Sequence, residues 1–286
     1  MHPVPRRTAP RAPITCHSNA SCYAHPLADC SQEITREHFP SRSVLESVAR
    51  GGQLATSGYR FQRPTEVKAL SPDAICSKVL CDRHNSALSG IDEVAGHFSD
   101  ALLEILRLKP TDSGPHHRQF CGHDLEKWLL KNLFGTISSG NLKIGDGFAE
   151  KGSVLPPRFL LELLFSDAIM LPPWGLYARA DALGEGTSRT LPELGGRVLL
   201  DTDHQAITGF ATRINSYDLI LWIDPIRRPL RMNLQPSIYR PAFIKTQLDH
   251  IELRWMGTWT DMALNRRVSS DPEGPRNLPW GHPSQS

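Results

Sequence analysis

Two short stretches of this chain gather the side chains that can do chemistry: EITREHFPSRSVL, starting at Glu33, and LCDRHNSALSGID, starting at Leu80. The first sets Glu37 beside His38, a hard carboxylate oxygen next to an imidazole that titrates near neutral pH. The second opens with Cys81-x-x-His84, the two-residue spacing with which zinc clips use a thiolate and an imidazole, and Asn85 follows at once. Metal-assisted hydrolysis needs a base to take a proton from water and a divalent cation to neutralise the charge that develops. His38 is the natural general base, and Glu37 offers an oxygen to Mg2+ or Mn2+. Asn85 can orient the imidazole or complete the metal's shell. Each has a plainer reading too: Glu-His is a common dipeptide, and Asn85 can simply cap a helix.

Six cysteines lie at positions 16, 22, 30, 76, 81 and 121. A disulfide scaffold would be shorter and denser in cysteine. The N-terminal MHPVPRRTAPRAP has no apolar stretch behind its arginines, so an export signal is not expected. Metal ligation in a reducing, cytoplasmic setting is therefore the expectation. Cys22, Cys30, Cys81 and His84 form the expected structural zinc set, with Cys16 as a substitute in the first pair and Cys76 as a buried thiol. A competing group, His116, His117, Cys121 and His123, precedes an ordinary helix and lacks a partner cluster downstream.

The two stretches, each bracketed by zinc ligands, resemble the HNH endonuclease superfamily over residues 20–105, about a third of the chain. That family builds a ββα-metal core, with an acid-His pair on a hairpin and an Asn on the following helix, often stapled by zinc. The resemblance implies catalytic roles for Glu37, His38 and Asn85, structural Zn2+, and catalytic Mg2+ or Mn2+. It also implies DNA as the partner in preference to RNA. The family's last helix ligand has no clear match. His97 lies 12 residues beyond Asn85 and a third of a turn off its face, whereas Asp92, seven residues on, returns to nearly the same face. Asp92 is thus the expected second cation ligand, beside Glu37. Glu in place of Asp, and the long insertion between His38 and Asn85, depart from the family's pattern.

The positioning elements follow from local signals. Residues 33–39 read as a short strand stopped by Pro40. Ser43-x-x-Glu46 is a capping-box pattern for a helix over 44–50, ended by Gly51-Gly52. A strand is expected around Tyr59-Arg60-Phe61. Ser71-Pro72 predicts a helix running through Ile75 and Val79. Leu88, Ile91, Ala95, Phe98, Leu102 and Ile105 recur at helical spacing and predict a long amphipathic helix that fades by Lys109-Pro110. Asp124 is placed to cap a helix over 125–135, and RFLLELLFSD reads as a short buried helix. The texture then turns to β, in GRVLLDT, QAITGFATRI, YDLILWIDP and AFIKTQLDHIELRWMG.

The expected class is therefore α+β: a disordered lead (1–20), an HNH-like zinc domain (21–110), an α+β unit with a mainly antiparallel sheet (115–262) and a disordered tail (263–286). A formal net charge of +2 does not advertise nucleic acid, so any basic surface must be local. Arg227, Arg228 and Arg231 form one small basic edge, more simply read as solvated surface; Trp222, Trp255 and Trp259 read as core aromatics. No run of apolar residues is long enough to cross a membrane. The expected function is metal-dependent endonucleolytic cleavage of DNA. The alternative is a non-catalytic zinc module that binds nucleic acid or protein, and a third possibility places the activity, or a protein partner, on the C-terminal unit.

Overall fold

The run HDLEKWLLKNLFGTIS, starting at His123, carries apolar side chains on every side of a helix, and a helix of that kind belongs in the interior. The computed structural model places it there. It describes residues 5–49, 51–63, 65–108, 118–144, 147–179, 194–201, 206–215, 217–224, 231–232, 235–245 and 249–256. In chain order, β1 (Ile34–His38), α1 (Arg42–Val48), β2 (Leu54–Thr56), β3 (Lys68–Leu70) and β4 (Cys76–Cys81) lead into α2 (Asp82–Arg107). Then come β5 (Arg118–Cys121), the central helix α3 (Gly122–Ser138), β6 (Lys143–Ile144), β7 (Gly147–Phe148) and α4 (Arg158–Leu164). Eight strands follow: β8 (Gly175–Arg179), β9 (Leu194–Leu200), β10 (Ile207–Ile214), β11 (Tyr217–Trp222), β12 (Arg231–Met232), β13 (Gln235–Tyr239), β14 (Phe243–Lys245) and β15 (His250–Arg254).

The class is α+β. The largest sheet has the order β12-β13-β8-β11-β10-β9, all antiparallel. A second sheet, β14-β15-β5, joins β15 to β5 in parallel across almost half the chain. Antiparallel pairs β1-β4, β2-β3 and β6-β7 stand apart. Helix α2 buries the expected stripe from Leu88 to Ile105, and Gly96 lets α1 approach so closely that a Cβ there would sit 2.6 Å from that of Ser43. No described helix is long and apolar enough to cross a membrane.

Every residue of α3 except Thr136 is buried. One apolar cluster runs through it from Cys22 and Tyr23 to Leu253 and Trp255, joining the stretch expected to be a zinc domain to the strands expected to be a separate unit. The presumed lead is tied in as well. The Arg6 N–H donates to Asp124 at 2.7 Å, the fully buried Thr8 donates to the Ser166 carbonyl, and Lys127 donates to Thr8 at 3.0 Å. Glu126 is a second hub: it accepts from Arg240 Nε at 2.8 Å and from the Leu176 N–H at 2.9 Å, and meets His123 Nδ1 at 3.0 Å. Burial pushes the Glu126 pKa up, but Arg240 and His123 more than offset it and hold the carboxyl below its ordinary value.

Several local expectations give way to pairing. The helix predicted over 72–79 is a 3-10 turn (Pro72–Ala74) followed by strand β4, because Cys76 to Cys81 hydrogen-bonds to β1. Helix α1 starts at Arg42, before the expected capping box; Ser43 instead donates to the Asp92 carbonyl, and Glu46 pairs with Arg42. Tyr59 and Phe61 stack in a turn rather than forming a strand. Asp124 lies inside the first turn of α3, whose N-cap is Cys121. Helix α4 buries Leu160, Leu161 and Leu164 but leaves Phe159 exposed, so it is only one-sided. The tail over 263–286 and the edge residues Arg227 and Arg228 lie outside the described residues, as does Trp259.

Candidate metal centre and the carboxylates beside it

Pairing of β1 with β4 aligns Ile34 with Cys81 and His38 with Cys76, with an irregularity between Thr35 and Arg36. Strand β4 runs straight into α2, so Cys81 is both the last strand residue and the N-cap, and His84 lies in the first helical turn. The loop carrying Cys22 and Cys30 is fastened over this junction by the Tyr23 N–H, which donates to the Val79 carbonyl at 2.9 Å. The result gathers Cys22, Cys30, Cys81 and His84, with their ligand atoms all within 4.8 Å of one another. Cys81 Sγ is 3.1 Å and Cys22 Sγ 3.8 Å from His84 Nδ1. All four residues are at most 1% exposed.

Those separations suit one tetrahedral zinc, whose bonds of about 2.3 Å to sulfur put ligand atoms about 3.8 Å apart. The electrostatics agree. Hydrogen bonding between the thiols of Cys22 and Cys81 lowers the Cys81 pKa far below its ordinary value and raises that of Cys22, while burial raises that of Cys30. Three thiols in so dry a space favour a bound cation that takes all of them as thiolates. The His84 ring is held edge-on to Phe165, with centroids 4.6 Å apart. Such a closed, four-ligand set would hold zinc structurally, fixing the start of α2 against the β1-β4 hairpin. Cys16 is exposed and outside the set, and Cys76 is half-buried.

The expected catalytic side chains are placed differently. Neighbouring residues of a strand face opposite sides. Glu37 is turned inward and only 2% exposed, while His38 stays half-buried. Glu37 meets the Lys131 ammonium of α3 at 2.5 Å, and the same ammonium reaches both oxygens of Asp92 at 2.5 Å. Ser41 donates to Asp92 and accepts from Trp128 Nε1 at 2.7 Å, which fixes the carboxylate further. An ammonium therefore stands between the two acids expected to hold Mg2+ or Mn2+. In this conformation both acids are paired with that ammonium. Burial disfavours the Lys131 charge, but Asp92 and Glu37 outweigh it and hold its pKa above the ordinary lysine value.

His38 Nε2 is buried without a hydrogen-bond partner. Burial, helped by the Arg42 charge, lowers its pKa. Asn85 does not cap α2; its Nδ2 donates to Thr35 Oγ1 at 3.0 Å, tying the helix to β1. His97 is exposed. In the competing cluster, the His123 ring nitrogens are taken up by Glu126 and the Met256 carbonyl, and His116 and His117 lie outside the described residues. Among the described residues, only the Cys3His set brings three or more such ligands together. Lys131 is the residue that sequence reasoning missed. Its one signal was a charge set inside the apolar run WLLKNLF.

Comparison with protein-family models, with curated proteins and with solved structures returned no match.

Two outcomes are expected. The purified chain should carry one zinc, and Cys81→Ser should abolish it and lower the melting temperature sharply, since structural zinc contributes on the order of 10 kcal/mol to small zinc domains. Metal analysis with thermal melting reads both, and a melt indifferent to a strong chelator would remove the zinc from the account. The second outcome concerns Glu37. One ammonium cannot neutralise two carboxylates, and burial raises the pKa of Glu37, the deeper one, from 4.5 to about 7. The folded chain then binds this proton more tightly than the unfolded chain does. Its stabilisation is complete below pH 4.5 and is lost as pH rises through about 7. Glu37→Gln should flatten the fall in stability between about pH 5 and about pH 8 in urea titrations; an unchanged slope would contradict the assignment.

Proposed function

We propose that this chain is a zinc-stapled, HNH-like protein that binds DNA through its β1-β4 hairpin without cutting it. The observation that carries the reading is the Lys131 ammonium between Glu37 and Asp92. A buried lysine with both carboxylates as partners supplies the positive charge that a nuclease would take from a divalent cation, and it offers water no Lewis acid. The β1-β4 pair leading into α2, with α1, β2 and β3 inserted between its strands, and the four clustered Cys and His side chains support the HNH-like part.

DNA binding draws its support from the outer face of the hairpin. Arg36 and Lys78 lie opposite one another across the strand pair, and both are exposed. Neither has an ion pair among the described residues, so both charges are open to phosphate. Phosphate contacts by such side chains give affinity that falls steeply with salt. Asn85, fastened to Thr35 beside them, holds this edge against the helix.

A second reading keeps the endonuclease. Its support is the unpartnered Nε2 of His38 together with the lowered pKa, which leaves the imidazole neutral and ready to act as a base. Cleavage would then require a rearrangement in which a divalent cation displaces Lys131. Fluorescence anisotropy with duplex DNA, paired with plasmid nicking in Mg2+ and Mn2+, separates the readings. The expected result is binding without nicking, with Arg36→Ala/Lys78→Ala weakening binding and reducing the salt slope by about two. Nicking that His38→Ala abolishes would establish the second reading, and absence of any binding would overturn the first.

A further inference from the structure

A cavity of about 660 Å3 opens between α1, the β2 segment, α3 and the β9-β10 edge. Its size falls within the range of about 300–1,000 Å3 typical of small-molecule sites. Phe39, Leu45, Ile75 and Phe210 supply apolar walls. Two glycines make room for the aromatic ones: a Cβ on Gly135 would come within 2.6 Å of the Phe39 ring, and one on Gly196 within 2.9 Å of Phe210. No Asp, Glu, Lys, Arg or His is among the described residues that line the space. A phosphate or carboxylate would find no counter-charge there.

One lining residue breaks the pattern. Asn132 of α3 is 1% exposed, yet neither its amide nitrogen nor its amide oxygen has a hydrogen-bond partner. The charged side chains buried on the same helix, Asp124, Glu126, Lys127 and Lys131, all find partners. A buried carboxamide left open on both atoms is unusual in a folded protein, because desolvation without a partner is costly. Thr136 lies one turn on, but its hydroxyl is spent on the Asn132 backbone carbonyl at 2.8 Å. What remains is a donor and an acceptor side by side on a residue that lines a neutral cavity with aromatic walls.

We propose that this cavity is a nucleobase site in which the Asn132 carboxamide pairs with the adjacent donor and acceptor of a neutral planar heterocycle of the adenine type. An asparagine amide recognises the N6 and N7 positions of adenine in that way. Flat apolar walls suit its faces, and the uncharged lining excludes phosphate from the interior. The inference stands apart from the zinc centre and from the hairpin's proposed DNA contact. The base can come from a free nucleoside or from an unpaired nucleotide of a strand, and the chemistry is the same.

The test uses the full chain with adenosine, purine riboside and a short single-stranded oligodeoxyadenylate, followed by calorimetry and thermal shift. Adenosine should bind and raise the melting temperature. Purine riboside, which lacks the amino donor, should bind at least about ten-fold more weakly, as should adenosine to Asn132→Leu. The ligand comparison stands even if that variant folds poorly. An oligonucleotide that competes with adenosine identifies a strand as the source, and one that does not identifies the free nucleoside. Failure of both adenosine and the oligonucleotide to bind would overturn the proposal, and so would equal affinity for adenosine and purine riboside.

Discussion

A helix buried on every side can carry charged side chains only if partners answer them, and α3 carries several. Arg240 from the β13 end and His123 answer Glu126; Thr8 from the N-terminal segment and the Ser166 carbonyl answer Lys127. Glu37 from β1 and Asp92 from α2 answer Lys131. All of these answers but His123 recruit a segment distant in sequence, so the buried charges of one helix specify how much of the molecule assembles around it. Apolar burial drives the collapse, but these pairs discriminate among the arrangements it would allow. Removing one partner from such a pair typically costs about 3–5 kcal/mol, because the other charge stays buried.

The Cys3His cluster and the Lys131 pairs act on the same small region from two sides. Zinc would staple the Cys22–Cys30 loop to the point where β4 becomes α2. Lys131 pulls β1 and α2 onto α3 from beneath. Between them the hairpin is held with Arg36 and Lys78 outward and Glu37 inward. The arrangement that presents a basic edge to solvent is thus the one that turns Glu37 away from water. The proposed DNA contact and the inward carboxylate draw on opposite faces of one strand, and the inward face meets an ammonium.

The zinc set was readable in the sequence because thiols and imidazoles are rare and Cys81-x-x-His84 is a local spacing. Helix α2 was readable because its stripe from Leu88 to Ile105 repeats with helical period. Strand β4 was not: Ser71-Pro72 is a genuine local helix-start signal, and only the pairing with β1, some 40 residues away, overrides it. The seating of Arg6 and Thr8 was hidden for the same reason, since a proline-rich lead has no apolar periodicity and its partners sit on α3 and near Ser166. Lys131 was hidden most deeply. Its ion pairs reach back to Asp92 and Glu37, and nothing local distinguishes a lysine that will be buried from one that will not.

The most direct measurement is a Mn2+ titration of the zinc-loaded chain followed by electron paramagnetic resonance. If Lys131 holds the place between Glu37 and Asp92, Mn2+ should remain free in solution, with no stoichiometric site. A single bound Mn2+ that disappears in Asp92→Asn would show that a divalent cation displaces the ammonium, and would contradict the account at its centre.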